Sequence, residues 1–241
     1  MRRTMLAVML LASSSIAGGW FLQSETGMVW DSSNDARVPN SGGTELSLTD
    51  ELQADAGVFA RLRLGYDFGR HSVSVLVAPL RLESSGTLPG PVSFAGVSFP
   101  ESASVEADYR FDSYRLTWRY GVVRRPSVSL DLGLTAKIRA ASIRLRGDGQ
   151  EGITRNTGFV PLASFALDWA MTPSLHLLID GDAAAASQGR AEDVFTGLGW
   201  AFTPGSVLTA GWRFLEGGAD VDQVYNFAFL NYASIGYRLA L

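Results

Sequence analysis

The 241-residue chain contains no cysteine, one lysine (Lys137) and two histidines (His71 and His176). Lack of cysteine excludes disulfides, thiolate metal sites and a thiol nucleophile. The remaining basic residues are all arginine, and 24 acids against 20 bases set a net charge of −4. That charge speaks against a nucleic-acid partner, which needs a basic stripe. Long apolar runs are also missing: beyond the N-terminal segment no window offers the ~18 uninterrupted apolar residues of a transmembrane helix. What the chain has is 26 glycines, 11% aromatics and 46% apolar residues, a turn-rich composition expected of β structure.

The N-terminal segment reads as an address. Arg2 and Arg3 precede an apolar run at 5–11, and small residues follow at 13–17, with Ser15 and Ala17 suited to the −3 and −1 cleavage positions. The run is too short for a membrane anchor, which needs ~20 apolar residues. We therefore expect a signal peptide at 1–17 and one domain at 18–241, carrying 18 basic and 24 acidic residues.

Within that domain the signal is alternation. Over 60–68, Leu62, Leu64, Tyr66 and Phe68 share one face while Arg61, Arg63, Gly65 and Asp67 share the other. Over 113–120, Tyr114, Leu116, Trp118 and Tyr120 oppose Ser113, Arg115, Thr117 and Arg119. Over 128–139, Val128, Leu130, Leu132, Leu134, Ala136 and Ile138 oppose Ser129, Asp131, Gly133, Thr135, Lys137 and Arg139. Side chains switch face at every strand residue, so each segment builds a wall apolar on one side and polar on the other. Less regular alternation marks 19–31, 71–83, 156–171, 174–182, 192–203, 206–216 and 225–241, ten strands in all. Connections alternate between short links (69–70, 124–126, 172–173, 204–205) and longer ones (32–57, 84–105, 147–155, 183–191, 217–224). The fold class expected is all-β: a transmembrane antiparallel up-and-down β-barrel of about ten strands, with eight or twelve as alternatives. A soluble barrel of the lipocalin type should put apolar residues inside and charges outside; these strands would force it to bury one face badly.

On these residues the chain resembles the small outer-membrane β-barrels of Gram-negative bacteria, of the porin-like, OmpA- and OmpW-like class. The closing strand resembles their assembly signal, with Tyr237, Leu239 and Leu241 alternating outward, although Leu241 replaces the usual terminal aromatic. The resemblance implies an outer-membrane location, short periplasmic turns, long extracellular loops, contact with outer-membrane lipid or lipopolysaccharide, and delivery to the assembly machinery through the C-terminal strand. Trp20, Trp30, Trp118, Tyr120, Trp169, Trp200, Phe202, Trp212, Tyr225 and Tyr237 are candidates for the interfacial girdles.

Taken literally, the pleat turns Arg61, Arg63, Asp67, Arg115, Arg119, Asp131, Lys137, Arg139, Asp168, Asp180, Asp182, Asp193, Arg213 and Arg238 into the lumen. Ten strands enclose little more room than eight, whose side chains just fill the interior. Basic residues come from strands two, four and five and acids from strands seven and eight, so opposite walls carry opposite signs. Two functions follow: a narrow pore or binding barrel for a small polar solute, or a structural or surface-interaction barrel that displays the loops at 32–57 and 84–105. In the second loop Val92, Phe94, Val97 and Phe99 alternate, and a strand pair extending above the membrane is expected.

Other chemistry has little support. The carboxylates Asp180 and Asp182, Glu192 and Asp193, and Glu216, Asp220 and Asp222 lie beside glycines at the expected extracellular mouth, as hard-cation ligands do. No twelve-residue calcium loop is present, so Glu216, Asp220 and Asp222 remain weak candidate metal ligands and solvated acids are the plainer reading. Ten strands also describe the omptin proteases, where the resemblance implies aspartates and a histidine at the extracellular rim; by strand count His71 and His176 lie toward the periplasmic turns. The histidine and serine of outer-membrane lipid A deacylases find their nearest approach in His71 with Ser72 or Ser74, again at the wrong end. We expect no enzyme, no cofactor and a monomer, with a membrane-lipid hydrolase as the least favoured reading.

Overall fold

The computed structural model describes residues 18–187 and 189–241. The expected signal peptide at 1–17 and Gln188 lie outside the described residues.

Ten antiparallel strands close into one ring: β1 (Gly19–Arg37), β2 (Gly57–Phe68), β3 (His71–Ala78, resumed as Arg81–Thr87), β4 (Ser104–Arg124), β5 (Val128–Gly147), β6 (Gln150–Ala170), β7 (Leu175–Ala186), β8 (Gly189–Thr203), β9 (Ser206–Val221) and β10 (Val224–Ala240). Each pairs with its sequence neighbours, and β10 closes on β1 from Phe21↔Ala240 to Arg37↔Tyr225. The short links form tight turns at one end, where the described termini also lie. The break in β3 falls at Pro79, which has no N–H for the ladder; the N–H of Leu80 turns instead to Asp112 Oδ1 at 3.4 Å.

Three of the expected long loops prove to be strand. β5 and β6 run up to Gly147 and Gln150 and turn on Asp148-Gly149 alone, with φ +50° and +70°. Such a pair of left-handed residues makes a two-residue hairpin whose twist matches its strands, and Asp-Gly is a preferred sequence for it. β9 and β10 likewise meet across Asp222 and Gln223, and β7 and β8 stay paired up to Ala186 and Gly189.

These taller strands explain the polarity. β4 has 21 residues, about twice the 9–11 that cross a bilayer. Its lower half is the wall expected: Tyr114, Leu116, Trp118 and Tyr120 are exposed outward while Arg115, Thr117 and Arg119 are buried within. Above Ser113 the pleat continues in register, but the chemistry inverts. Inward positions become Phe111, Tyr109, Ala107 and Val105, and outward ones become Asp112, Arg110, Asp108 and Glu106. β5 inverts at the same height, with Ile143 and Leu145 buried inside and Arg144 and Arg146 outside. The molecule is a membrane barrel below and an apolar-cored barrel above.

The upper core is capped by the two long loops. Leu46, Leu48 and Leu52 of the first and Leu88, Val92, Phe94 and Phe99 of the second join Val105, Tyr109, Leu145, Leu215, Leu230 and Tyr232 of the wall in one buried cluster. The expected strand pair does form, with Val92↔Phe99 and Phe94↔Val97, but it turns into the mouth instead of standing above it. Its apolar face, about 1.5–3 kcal/mol per fully buried side chain, would otherwise meet water. The loops are tied by Thr44 N to Ser93 O at 2.9 Å and Ala95 N to Val38 O at 2.8 Å.

Candidate functional site

Below the apolar core a belt of charge crosses the lumen. Arg61 and Arg63 project from β2, Arg115 and Arg119 from β4, Asp180 and Asp182 from β7, Asp193 from β8 and Arg213 from β9, because all occupy inward positions of the pleat. The two charged walls reach each other. Arg115 Nη1 meets Asp182 Oδ2 at 2.7 Å, Arg61 Nη2 meets Asp193 Oδ2 at 3.0 Å, and Arg119 Nη1 meets Asp180 Oδ2 at 2.6 Å. Arg63 joins Asp180 at 3.2 Å. Asp193 also takes Arg115 and, at 2.5 Å, Arg213. Neutral partners complete the belt: Thr135 donates to Asp182 at 2.8 Å and Arg119 Nε to Ser164 Oγ at 2.9 Å. Asp180, Asp182 and Asp193 thus lie in the belt, not at the extracellular mouth.

One member is absent from the sequence reading. Glu25 on β1 accepts from Arg213 twice at 2.8 Å and from Ser234 at 2.7 Å. The signal was its inward parity, but its inward neighbours Phe21, Gln23, Gly27 and Val29 carry no charge and hide the pattern. Removing charges from water is costly, and a buried pair recovers that cost only with good geometry and satisfied donors. The belt meets those conditions at nearly every group, so its charges hold walls together; Arg119 Nη2 is left buried without a hydrogen bond.

The other expected lumen charges take no part in the belt's ion pairs. Toward the turn end, Asp67 pairs with Arg238 at 3.0 Å, Asp131 with Arg124, and Asp168 Oδ1 with His176 Nδ1 at 2.6 Å. Lys137, the ladder partner of the belt residue Arg115, and Arg139, one inward position higher opposite Ser113, appear in no ion pair with a described residue. His71 faces outward, stacked between Phe68 and Trp118, and its Nδ1 accepts from Trp118 Nε1 at 3.2 Å. Both histidines therefore sit at the turn end. Glu216 is paired with Arg190, and Asp220 accepts from Asn40 at 2.6 Å. Among the described residues no group of three or more His, Asp or Glu side chains is placed to hold a metal ion.

Between belt and core, Phe59, Arg61, Leu80, Phe111, Leu215 and Tyr232 line a cavity of about 10 Å³, the room of about one water. Outside, an apolar band surrounds the lower wall: Leu62, Leu64, Val75, Leu116, Leu134, Leu198 and Leu208 are all exposed. Aromatics crowd its lower edge, where Trp20 packs on Tyr66, and Phe202 on both Trp200 and Tyr237. No solvent but a bilayer suits such a band.

No protein-family model matches the chain, and no curated protein matches its sequence. Solved structures do resemble it. The outer membrane protease OmpT from Escherichia coli is 10% identical with a TM-score of 0.60, over 92% of this chain and 97% of that one. The transport unit of the autotransporter AIDA-I from Escherichia coli is 9% identical, TM-score 0.49, over 98% and 94%. An outer membrane channel from Pseudomonas putida F1 is 12% identical, TM-score 0.47, over 92% and 96%. At such identities the likeness is one of fold. Band, girdle and closed ten-strand ring together define the class: a small outer-membrane β-barrel of the Gram-negative type.

Proposed function

We propose that this chain acts as a closed surface barrel, anchoring a folded extracellular platform rather than conducting a solute. The observation that supports this reading is the double closure of the lumen. The arginine–aspartate belt spans it at one level, and the loop-capped apolar core fills it at the next, with a cavity of about 10 Å³ between them. A conduit needs a continuous polar path, and the buried ring of Phe94, Phe99, Leu46 and Leu88 is the opposite of one.

The platform is the part of the barrel above the band, where β4 to β6 and the two loops present mixed charge on a rigid frame. A partner would meet side chains such as Glu106, Asp108 and Arg146 on strands instead of mobile loops. The test is solute flux into liposomes carrying the folded protein. Arabinose and glycine uptake should equal that of empty liposomes; uptake rising with protein density would favour the pore.

A further inference from the structure

The barrel wall is cut away on one side. β6 pairs with β5 along its whole length, from Gln150 to Trp169, but with β7 only from Ala163 to Ala170. Residues 150–162 have no ladder partner on the β7 side among the described residues; the β7–β8 hairpin, which ends at Ala186 and Gly189, stops short of 150–159 while β6 continues upward. The top of this notch is crossed by the second loop, where Gln150 Nε2 donates to Ser98 O at 3.2 Å. Below that, Arg155, Asn156 and Thr157 are all exposed although successive side chains face opposite sides of a strand. The notch is open from within and from without.

Behind it stand the two inward cations that lack a counter-ion. Arg61, Arg63, Arg115, Arg119, Arg213 and Arg238 each have a carboxylate partner; Lys137 and Arg139 have none among the described residues. Lys137 is 3% exposed, and its Nζ has for company the Phe111 ring at 4.9 Å. Arg139 Nη2 donates to Asn156 Oδ1 at 2.5 Å, while its Nε is buried without a partner. The two are next-but-one on β5, about 6.6 Å apart along the strand, opposite Val160 and Gly158 of β6. Lys137, buried, and Arg139, half-buried, have no carboxylate within ion-pair distance among the described residues, and a buried cation without a direct partner is costly to keep. Their height is informative too: Ile138 and Phe159, 50% and 68% exposed on the outer face beside them, are the upper apolar residues of the band. Above them the outer face turns to Ser142, Arg144 and Arg155, so the notch opens at headgroup level.

We propose that Lys137 and Arg139 form a receptor for the anionic phosphate of an outer-leaflet lipid, which reaches them sideways through the notch while its acyl chains lie on Phe159 and Ile138. A tetrahedral oxyanion suits a guanidinium fork beside an ammonium, and basic pockets at membrane edges hold headgroups in this way. The absence of a side chain at Gly158 leaves the approach clear: a Cβ there would lie 3.3 Å from Arg139 Nη2. The site does not depend on whether the barrel conducts, so its test and the flux test fail separately.

The test is native mass spectrometry of the folded protein in micelles, with dioleoyl phosphatidic acid against dioleoyl phosphatidylcholine as probes. The expected result is one retained phosphatidic acid with at least tenfold preference. The Lys137→Gln/Arg139→Gln double variant, shown folded by heat-modifiable gel migration, should lose that preference to within twofold. Arg144→Gln, whose cation faces outward, should keep it. Should the double variant not fold, Gly158→Leu retains both charges and fills the approach, and it must lose the preference as well. Preference surviving in the double variant or in Gly158→Leu, or no preference in the wild type, would overturn the proposal. So would inorganic phosphate matching the lipid in thermal protection, since the ligand would then be the free anion.

Discussion

Arg213 grips Glu25 through two parallel hydrogen bonds, Nε to Oε1 and Nη2 to Oε2, each 2.8 Å long. The pair spans β10, which lies between its two strands, and Ser234 of β10 donates to the same carboxylate. Three consecutive wall strands, including the first and last of the chain, are thus tied where the ring closes. Breaking one partner of a buried pair leaves the other uncompensated, at about 3–5 kcal/mol. Glu25→Gln should cost that much in urea unfolding from micelles. In a double-mutant cycle with Arg213→Gln, a coupling of at least about 1.5 kcal/mol is expected; additive losses would show that the clamp is not a clamp.

Burial should rank the ion pairs. Asp193 has a side chain 2% exposed and three arginine partners, whereas Asp67 and Arg238 near the turn end are 48% and 41% exposed. Asp193→Asn should destabilise the barrel by about 3 kcal/mol or more. Asp67→Asn should cost no more than about 1 kcal/mol. Equal losses in guanidinium titrations of the two variants would contradict the belt's structural role.

The cap should behave as core. Phe94 is fully buried although it lies in a surface connection, and truncating a buried phenylalanine costs about 3–5 kcal/mol. Hydrogen exchange across residues 88–103 should be slow in the wild type and at least about tenfold faster in Phe94→Ala, with the lower wall unaffected. Rapid exchange of this segment in the wild type would mean that the loops do not close the mouth.

The Asp148-Gly149 turn offers a backbone test. Gly149 sits at φ +70°, where an L side chain costs about 1–2 kcal/mol. Gly149→Ala should lower stability by that amount, while Gly19→Ala, at a position with open space and no such angle, should be close to neutral. The comparison is read from urea midpoints of the two variants.

How much of this was legible follows from where polarity and geometry agree. Residues 113–139 declare a membrane wall because alternate positions differ in both chemistry and direction. From Ser113 up to Val105 the direction is kept and the chemistry reverses, so the same strand reads as the end of one pattern, and 84–105 and 147–155 as loops. The charged faces of β2, β4, β5, β7 and β8 are plain in the sequence, but which arginine meets which aspartate depends on ring closure and strand stagger, which no local pattern carries. Glu25 escaped because a single charge among Phe21, Gln23 and Val29 makes no period. The unpaired state of Lys137 and Arg139 is likewise visible only once every other inward arginine has its partner and the short β7–β8 hairpin has left the wall open beside them.

The central claim is that two layers shut the lumen, and planar-bilayer recording tests it most directly. The folded wild-type protein, inserted and held at about 100 mV, a potential worth about 2.3 kcal/mol per elementary charge crossing the membrane, should show no stable conductance steps. Stable steps whose ion selectivity shifts on Arg61→Ala would contradict the account, because a current sensed by Arg61 would have to pass the belt.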